Sequence, residues 1–249
     1  MGPGGNMKKI APLIIMFIIG YSMPASAQQF LFGAHFGYST ADQSDINTLI
    51  TRANARAGGI STDSLSDAYE GVFTIGYRPS QSSIAYLLRP AVFYASTDGS
   101  GGQNAGFIGN YEYSLLGFSI YPMLRYHLLE DKTIRFFTQI GIGWGQISGE
   151  IKEVNTSEVT AEFSGDNLGY LAGLGVEFCF DMNGSHCINL EANLRIHYIE
   201  RNIVDASSGT FATGSLTQSA KGAEIELDNR DLGTTMSGIQ GIIGYTFHY

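Results

Sequence analysis

Apolar and polar residues alternate with a period of two along most of this chain. The clearest example is Ile188–Arg201 (INLEANLRIHYIER), where apolar residues hold the even positions and mostly polar or charged residues the odd ones. Successive side chains of a β-strand point to opposite faces, so this segment predicts a strand with one apolar and one polar face. The same pattern predicts eight strands in all. They are Gln29–Thr40, Ala68–Arg78, Ser83–Thr97, Asn110–Leu129, Thr133–Ser148, Asp166–Phe180, Ile188–Arg201 and Arg230–Tyr249.

The connections between these strands alternate strictly between long and short. The long ones are polar and are predicted as loops, the first with a weak helical stretch from Ser44 to Ala57. These loops are Ala41–Asp67, Asp98–Gly106, the acidic Gly149–Gly165 and Asn202–Asn229. In an up-and-down meander, successive connections lie at opposite ends, so four long loops share one end and three tight turns share the other.

The two faces of the predicted strands differ in composition, and this predicts the solvent that each face meets. The apolar faces carry aromatic, Leu, Ile and Val side chains, whereas the opposite faces combine glycines with arginines, acids and histidines. Long arginines beside glycines suit the crowded interior of a narrow barrel, where Arg also pairs well with carboxylates. We therefore expect a charged network in the lumen and lipid against the apolar faces. Its predicted members are Arg78, Arg89, Arg125, Arg135, Glu177, Glu191, Arg195 and His197, with His35 and His127 on the same face. The alternative is a secreted soluble barrel, whose apolar faces would point inward.

The first 27 residues have the features of a secretory signal peptide. Lys8-Lys9 forms a basic start, the apolar run after it is too short to span a bilayer, and Ala25–Ala27 is an A-x-A cleavage site. Met7 is a second plausible start, and an uncleaved membrane anchor is the alternative interpretation. Cleavage would leave residues 28–249 as one barrel domain.

The composition of the remaining chain excludes some classes of partner. Without the leader, 12 basic residues face 23 acidic ones, a formal charge of −11, which argues against nucleic acid or an anionic surface as partner. Abundant glycine (32 residues), 29 Tyr plus Phe and only 6 prolines are typical of many-stranded antiparallel proteins.

Cys179 and Cys187 flank Asn183-Gly184, which is a hairpin signal. Both have the same parity on their strands, so a disulfide across the hairpin is possible in an oxidising periplasm. The pairing register decides between this bond and two free thiols, and the sequence leaves both open.

Six segments resemble strands of the small eight-stranded outer-membrane β-barrel family, which includes the OmpA transmembrane domain, OmpX-like proteins and opacity-type proteins. They are FGAHFGYST, SIYPMLRYHL, FFTQIGIGWG, LAGLGVEFCF, INLEANLRIHY and GYTFHY. The resemblance implies the outer membrane of a Gram-negative bacterium, with outer-membrane lipid and lipopolysaccharide as surroundings. Family members end on an aromatic residue that the barrel-assembly machinery recognises, so the resemblance implies this role for Tyr249, with Tyr245 and Phe247 upstream.

The sequence contains no convincing catalytic motif. A hydrolase needs a nucleophile and a base within hydrogen-bond reach. Lipid A deacylases with eight-stranded barrels use a His-Ser pair near the chain end, but the similar segment Arg195–Glu200 has no serine. We therefore expect no catalytic residue, metal or cofactor. The expected role is structural or a surface interaction through the loops Ala41–Asp67 and Asn202–Asn229, with an unknown partner. The alternatives are a narrow pore or hydrophobic-ligand conduit, and a lipid A-modifying enzyme.

Overall fold

The computed structural model describes residues 29–56, 61–102, 108–154, 157–181, 183–211, 216–217 and 220–249. The predicted signal peptide and its cleavage site lie outside these residues. The elements in chain order are β1 (Gln29–Thr40), α1 (Ser44–Arg56), β2 (Asp67–Arg78), β3 (Ile84–Gly102), β4 (Ile108–Glu130), β5 (Ile134–Val154), β6 (Glu158–Cys179), β7 (His186–Ile196), β8 (Tyr198–Ile199), β9 (Ile203–Ser208), β10 (Leu216–Thr217), β11 (Glu226–Leu227), β12 (Arg230–Asp231), β13 (Thr234–Thr235) and β14 (Gly238–His248).

Eight of these strands form a closed antiparallel ring. Strands β1 to β6 each pair with the next one, and β14 closes the ring by pairing with both β7 and β1. The predicted eight-stranded, antiparallel, up-and-down barrel is therefore confirmed. Within the described part of the chain, no helix has both the length and the hydropathy needed to span a membrane.

The barrel wall has two heights. Strands β3 to β6 contain 19 to 23 residues and form the tall wall, whereas β1, β2, β7 and β14 contain 11 or 12 and form the short wall. The prediction of loops at Asp98–Gly106 and Gly149–Gly165 is therefore wrong for residues 98–102, 149–154 and 158–165, which extend the hairpins β3–β4 and β5–β6. Residues 103–106 and 155–156 of these predicted loops lie outside the described residues. The last predicted strand is also too long, because β14 begins only at Gly238.

The outward and inward faces of the tall wall exchange polarity at one level, although apolar and polar residues keep alternating along the strand. On β5, the outward residues from Ile134 to Trp144 are mainly apolar, and the inward side chains include Arg135 and Gln139. Further along the same strand, the outward side chains are mainly polar and the inward ones mainly apolar, with Glu153 as a buried inward acid. The outward residues there are Gln146, Ser148, Glu150 and Lys152, and the inward ones include Ile147 and Ile151. The long acidic segment is a strand because its apolar residues still alternate, but they now face inward.

The described parts of the two longest predicted loops, Ala41–Asp67 and Asn202–Asn229, fold into one end of the barrel, which we call the mouth. Helix α1 buries Ile46, Leu49, Ile50 and Ala53, each at most 2% exposed, and this spacing gives one apolar face. Val204, Ile225, Leu227 and Leu232 from the segment after β8 belong to the same buried cluster as inward residues of the tall wall. We call α1 and the segment after β8, with the apolar side chains that they bury, the mouth plug. These two segments are thus not free polar loops, because their apolar residues need a surface to pack against.

Candidate functional site in the barrel interior

A network of ion pairs fills the middle of the barrel, and Glu191 lies at its centre. The Glu191 carboxylate pairs with Arg89 (Nη1 to Oε2, 2.6 Å) and Arg125 (Nη2 to Oε1, 3.0 Å), and it accepts a hydrogen bond from Gln139 (Nε2 to Oε2, 3.0 Å). These side chains are almost completely buried. Buried charges are tolerated when they are paired and hydrogen-bonded. The Glu191 carboxylate meets that condition, while Nη2 of Arg89 has no hydrogen-bond partner among the described residues.

Glu177 extends the network toward the tight-turn end. Its carboxylate lies 2.7 Å from Nη1 of Arg125, 3.1 Å from Nε2 of His248 and 3.7 Å from Nη1 of Arg135. Arg125 also places its guanidinium carbon 3.8 Å from the ring centroid of Phe137, so the cation is both paired and stacked. These contacts tie β4, β5, β6, β7 and β14 together inside the ring.

A second pair lies closer to the mouth. Arg195 donates two hydrogen bonds to Glu70, at 2.7 and 3.0 Å, and Ser39 and Gln240 donate to the same carboxylate at 2.8 and 2.7 Å. On the mouth side of this pair, the Tyr121 hydroxyl lies 2.6 Å from Nδ1 of His197.

The predicted network residues therefore fall into separate groups. Arg89, Arg125, Arg135, Glu177 and Glu191 form one connected cluster, while Arg195 pairs with Glu70. Arg78 lies at the tight-turn rim and binds Glu130 with two hydrogen bonds of 2.6 Å. Oε1 of Glu130 lies 3.6 Å from Nε of Arg135, so Arg78 is joined to the first cluster at its edge. His197 contacts Tyr121 and the carbonyl of Asn167 rather than a carboxylate.

Sequence reasoning left several partners out of this network. Glu70, Gln139, Gln240 and His248 are all buried and hydrogen-bonded to it. Their signal was available, because each has the parity of the charged face on its own strand. The predicted network contained arginines, acids and histidines, and not the amides that complete the hydrogen bonding.

The histidines of the predicted polar faces, His35, His127 and His197, are enclosed by neighbouring side chains. Nδ1 of His35 lies 3.1 Å from Oδ1 of Asn189, and His127 packs beside the Phe137 ring at a centroid distance of 6.2 Å. Inward glycines leave room for these rings. A Cβ on Gly145 or Gly169 would lie 2.5 or 2.4 Å from the ring of His197.

Little free volume remains between the ion-pair network around Glu191 and the Glu70–Arg195 pair. A cavity of about 10 Å³ lies among Glu70, Arg89, Tyr121 and Arg195. This is near the minimum for one water molecule. Side chains therefore fill the interior at this level.

The mouth plug carries its own ion pairs on the solvent side. Arg52 of α1 donates two hydrogen bonds to Asp228, at 2.9 and 2.6 Å. Asp228 and Asn229 have φ of 56° and 60°, as a two-residue type I′ hairpin turn requires. The Arg52 guanidinium lowers the pKa of the Asp228 carboxyl below its ordinary value. The helix is thus tied to the hairpin β11–β12 across the opening.

The tight-turn end contains a disulfide between Cys179 and Cys187, which are directly opposed in the β6–β7 register. Of the three aromatic residues predicted as an assembly signal, Tyr245 hydrogen-bonds His186, and Phe247 packs on the same ring with centroids 5.0 Å apart. Tyr249 is 79% exposed. Recognition of these residues by an assembly machinery stays a prediction.

Comparisons with known proteins find likeness in structure and not in sequence. No family model matches the sequence, and no curated protein matches it significantly. The outer membrane protein OprG from Pseudomonas aeruginosa superposes with a TM-score of 0.52 at 13% identity, over 90% of this chain and 96% of OprG. The attachment invasion locus protein Ail of Yersinia pestis gives 0.37 at 9% identity, over 90% of this chain and 100% of Ail. Neisserial surface protein A gives 0.32 at 14% identity, over 88% and 95%. At these identities, the match to OprG shows a shared barrel fold.

Proposed function

We propose that this protein is an integral barrel of a bacterial outer membrane, with lipid around the apolar belt. The polarity inversion of the tall wall carries this proposal. Below the inversion the outward side chains are apolar, and above it they are polar or charged, as expected where a strand leaves lipid for water. On β5 the belt runs from Ile134 to Trp144. At about 3.4 Å per residue and a tilt of about 40°, it is about 26 Å tall, close to the apolar band of known membrane barrels.

Aromatic residues at the mouth-side edge of the belt support the same placement. Tyr38, Tyr69, Tyr94, Trp144 and Tyr170 face outward near the mouth end, each 37 to 58% exposed. Trp144 donates its indole N–H to Asp166 at 2.9 Å, so an apolar ring and a polar contact meet at one level. Tyr and Trp favour membrane interfaces because they combine an apolar body with a polar tip.

The role that we propose for the barrel is non-enzymatic, either as membrane structure or as a rigid support for surface contacts. The paired charges of the interior and the mouth plug favour a closed barrel over a pore or conduit. Strands β3 to β6 continue beyond the belt, so the tall wall would present its polar outer face to the medium. We therefore place the contact surface on this wall, and its partner is unknown.

Two measurements on detergent-extracted outer membranes test this proposal. A folded membrane barrel resists SDS until it is boiled, so we expect a mobility shift on heating. Recovery of the protein in the soluble periplasm, with no shift, would refute the membrane placement. In planar bilayers we expect no steady single-channel conductance. A stable open conductance level would refute the closed barrel and show that the protein forms a pore.

The proposed absence of enzyme activity has its own test. The histidines at positions 35, 127 and 197 lie inside the wall, away from lipid on the outer face. We expect the lipid A mass profile of cells to be the same with and without the protein. A reproducible loss or gain of an acyl chain would make the protein a lipid A-modifying enzyme.

A further inference from the structure

A recess of about 660 Å³ opens on the outer surface where β14 begins. The chain enters the barrel just before this point, since Met236 is completely buried while Ile239 is 65% exposed. One side of the recess is formed by the end of β7 and by β8, and the other by the end of β1 and the start of β2. We call this feature the wall recess. Its volume is within the range of pockets that hold small ligands.

The back of the wall recess is held by hydrogen bonds between distant parts of the chain. The Gln43 side chain donates to the carbonyl of Thr235 at 2.5 Å and accepts from the N–H of Thr235 at 3.0 Å. The N–H of Gly233 donates to Asp45 at 2.8 Å, and the N–H of Met236 donates to the carbonyl of His197 at 2.9 Å. The recess is thus built into the folded chain, and a ligand would not have to order it.

The two sides of the wall recess differ in chemistry. Leu194, Ile196 and Tyr198 line it from the lipid-facing side of the barrel and are 47 to 57% exposed. Asp42 and Asp67 line the opposite side, are exposed, and form no ion pair with any described residue. An apolar surface therefore faces a carboxylate rim across one opening.

The other charged groups of the wall recess are already neutralised. Arg195 is paired with Glu70, and Asp45 is paired with Arg230 at 2.7 Å. Asp42 accepts a hydrogen bond from the side-chain amide of Asn47 at 2.7 Å, and Asp67 interacts with the hydroxyl of Tyr38. Neither neighbour supplies a positive charge. The net charge presented to a ligand is therefore negative, and no unpaired cation among the described lining residues would favour a phosphate or sulfate.

The wall recess also lies at the upper edge of the apolar belt. Leu194 and Ile196 are the last lipid-facing residues of β7, and Asp67 is the first residue of β2 at the mouth end. A molecule in the recess would meet an apolar environment below and water above.

We propose that the wall recess binds one single-chain amphiphile with an ammonium headgroup. The alkyl chain would lie along Leu194, Ile196 and Tyr198, and the ammonium would lie between Asp42 and Asp67. This binding site goes beyond the proposed scaffold role and does not depend on it, since the recess also exists in a detergent micelle. A carboxylate about 6 Å away in a water-like dielectric favours a monovalent cation about threefold. The two together therefore give up to about tenfold, and less at high salt.

Photo-crosslinking of the full-length protein in maltoside micelles tests this site. The probes are a dodecylammonium and a dodecyl sulfate that carry the same diazirine on the chain. Labelled peptides are mapped by mass spectrometry and normalised to labelling of the belt on β5, residues 134–144. We expect the ammonium probe to label residues 194–198 and 233–238 at least threefold more than the sulfate probe does. Equal labelling by the two probes would show a lipid contact without headgroup recognition and would overturn the proposal.

Two double variants assign the headgroup site. Asp42→Asn with Asp67→Asn should lower ammonium labelling of the recess to the level of the sulfate probe. Glu150→Gln with Glu162→Gln removes two exposed acids of the tall wall and should leave the labelling unchanged. Both variants are first checked for the heat-dependent gel shift, so that loss of folding is not read as loss of binding. Labelling that persists in the Asp42/Asp67 variant, or falls equally in both, would refute recognition by these carboxylates.

Discussion

Replacing Glu191 by glutamine tests whether the buried ion pairs hold the barrel together. Glutamine keeps the shape and one acceptor oxygen but removes the charge that faces Arg89 and Arg125. Arg125 retains Glu177 at 2.7 Å, whereas Arg89 loses the carboxylate that lies 2.6 Å from its Nη1. Breaking a buried pair costs about 3–5 kcal/mol. Because one of the two arginines remains paired, we expect about 3 kcal/mol, roughly a hundredfold in the unfolding equilibrium.

Unfolding in urea, from lipid vesicles and followed by the fluorescence of Trp144, measures this loss. Arg89→Met completes a double-mutant cycle, because it removes the cation that Glu191→Gln leaves unpaired. We expect the double variant to be more stable than the sum of the two single losses by at least about 1.5 kcal/mol. Glu150→Gln, at an exposed position of the tall wall, is the control and should stay within about 0.5 kcal/mol of the wild type. A loss below about 1 kcal/mol, or strictly additive effects, would refute an ion-pair network that stabilises the fold.

Three further predictions concern other parts of the molecule. Gly238→Ala should lower the free energy of unfolding by about 3 kcal/mol or more, because its Cβ would lie 1.4 Å from a backbone oxygen of β1, whereas Gly241→Ala, with nothing within 4 Å, should change it little. Ile140→Arg in the belt should cost about 2–4 kcal/mol in vesicles, and Ser148→Arg on the same face above the belt should cost almost nothing; equal costs would contradict the proposed lipid boundary. Asp228 has a lowered pKa in the folded protein. Its ion pair with Arg52 therefore contributes to stability above the unfolded pKa of about 3.9, and this contribution is lost as the pH falls through the folded pKa. The protection factors for hydrogen exchange in α1, which correct for the intrinsic pH dependence of exchange, should therefore fall below about pH 4, and Asp228→Asn should remove that change.

The number of strands and the assignment of their faces followed from local pattern. In the strand around Glu191, each polar residue from Asn189 to Arg195 has an apolar neighbour on either side in the sequence. A period of two therefore separates the outward face from the lumen. The pooled arginines and acids of the opposite faces likewise predicted a charged interior before any pairing was known. Strict alternation is informative because a shift of one residue would turn every side chain to the wrong face.

The partners within the interior could not be read from the chain. Glu70 and Arg195 are 125 residues apart, and they meet because ring closure places β2 and β7 on opposite flanks of β1 and β14. The register across the β6–β7 turn likewise determined that Cys179 faces Cys187. Such contacts depend on strand pairing and tilt, which no local pattern encodes.

The sequence by itself determined which side chains share a face, since that depends only on the backbone period. Tertiary structure decided where one face is exposed on the outer surface and where it is packed against other side chains. Glu150 and Ile151 look like part of an acidic loop in sequence, but the strand continues through them with its apolar side turned inward. Helix α1 looks like an isolated polar segment, yet its apolar stripe is buried against the tall wall and the chain after β8. The physical reason is that burial is a property of neighbours brought together by the fold, and these neighbours are distant in sequence.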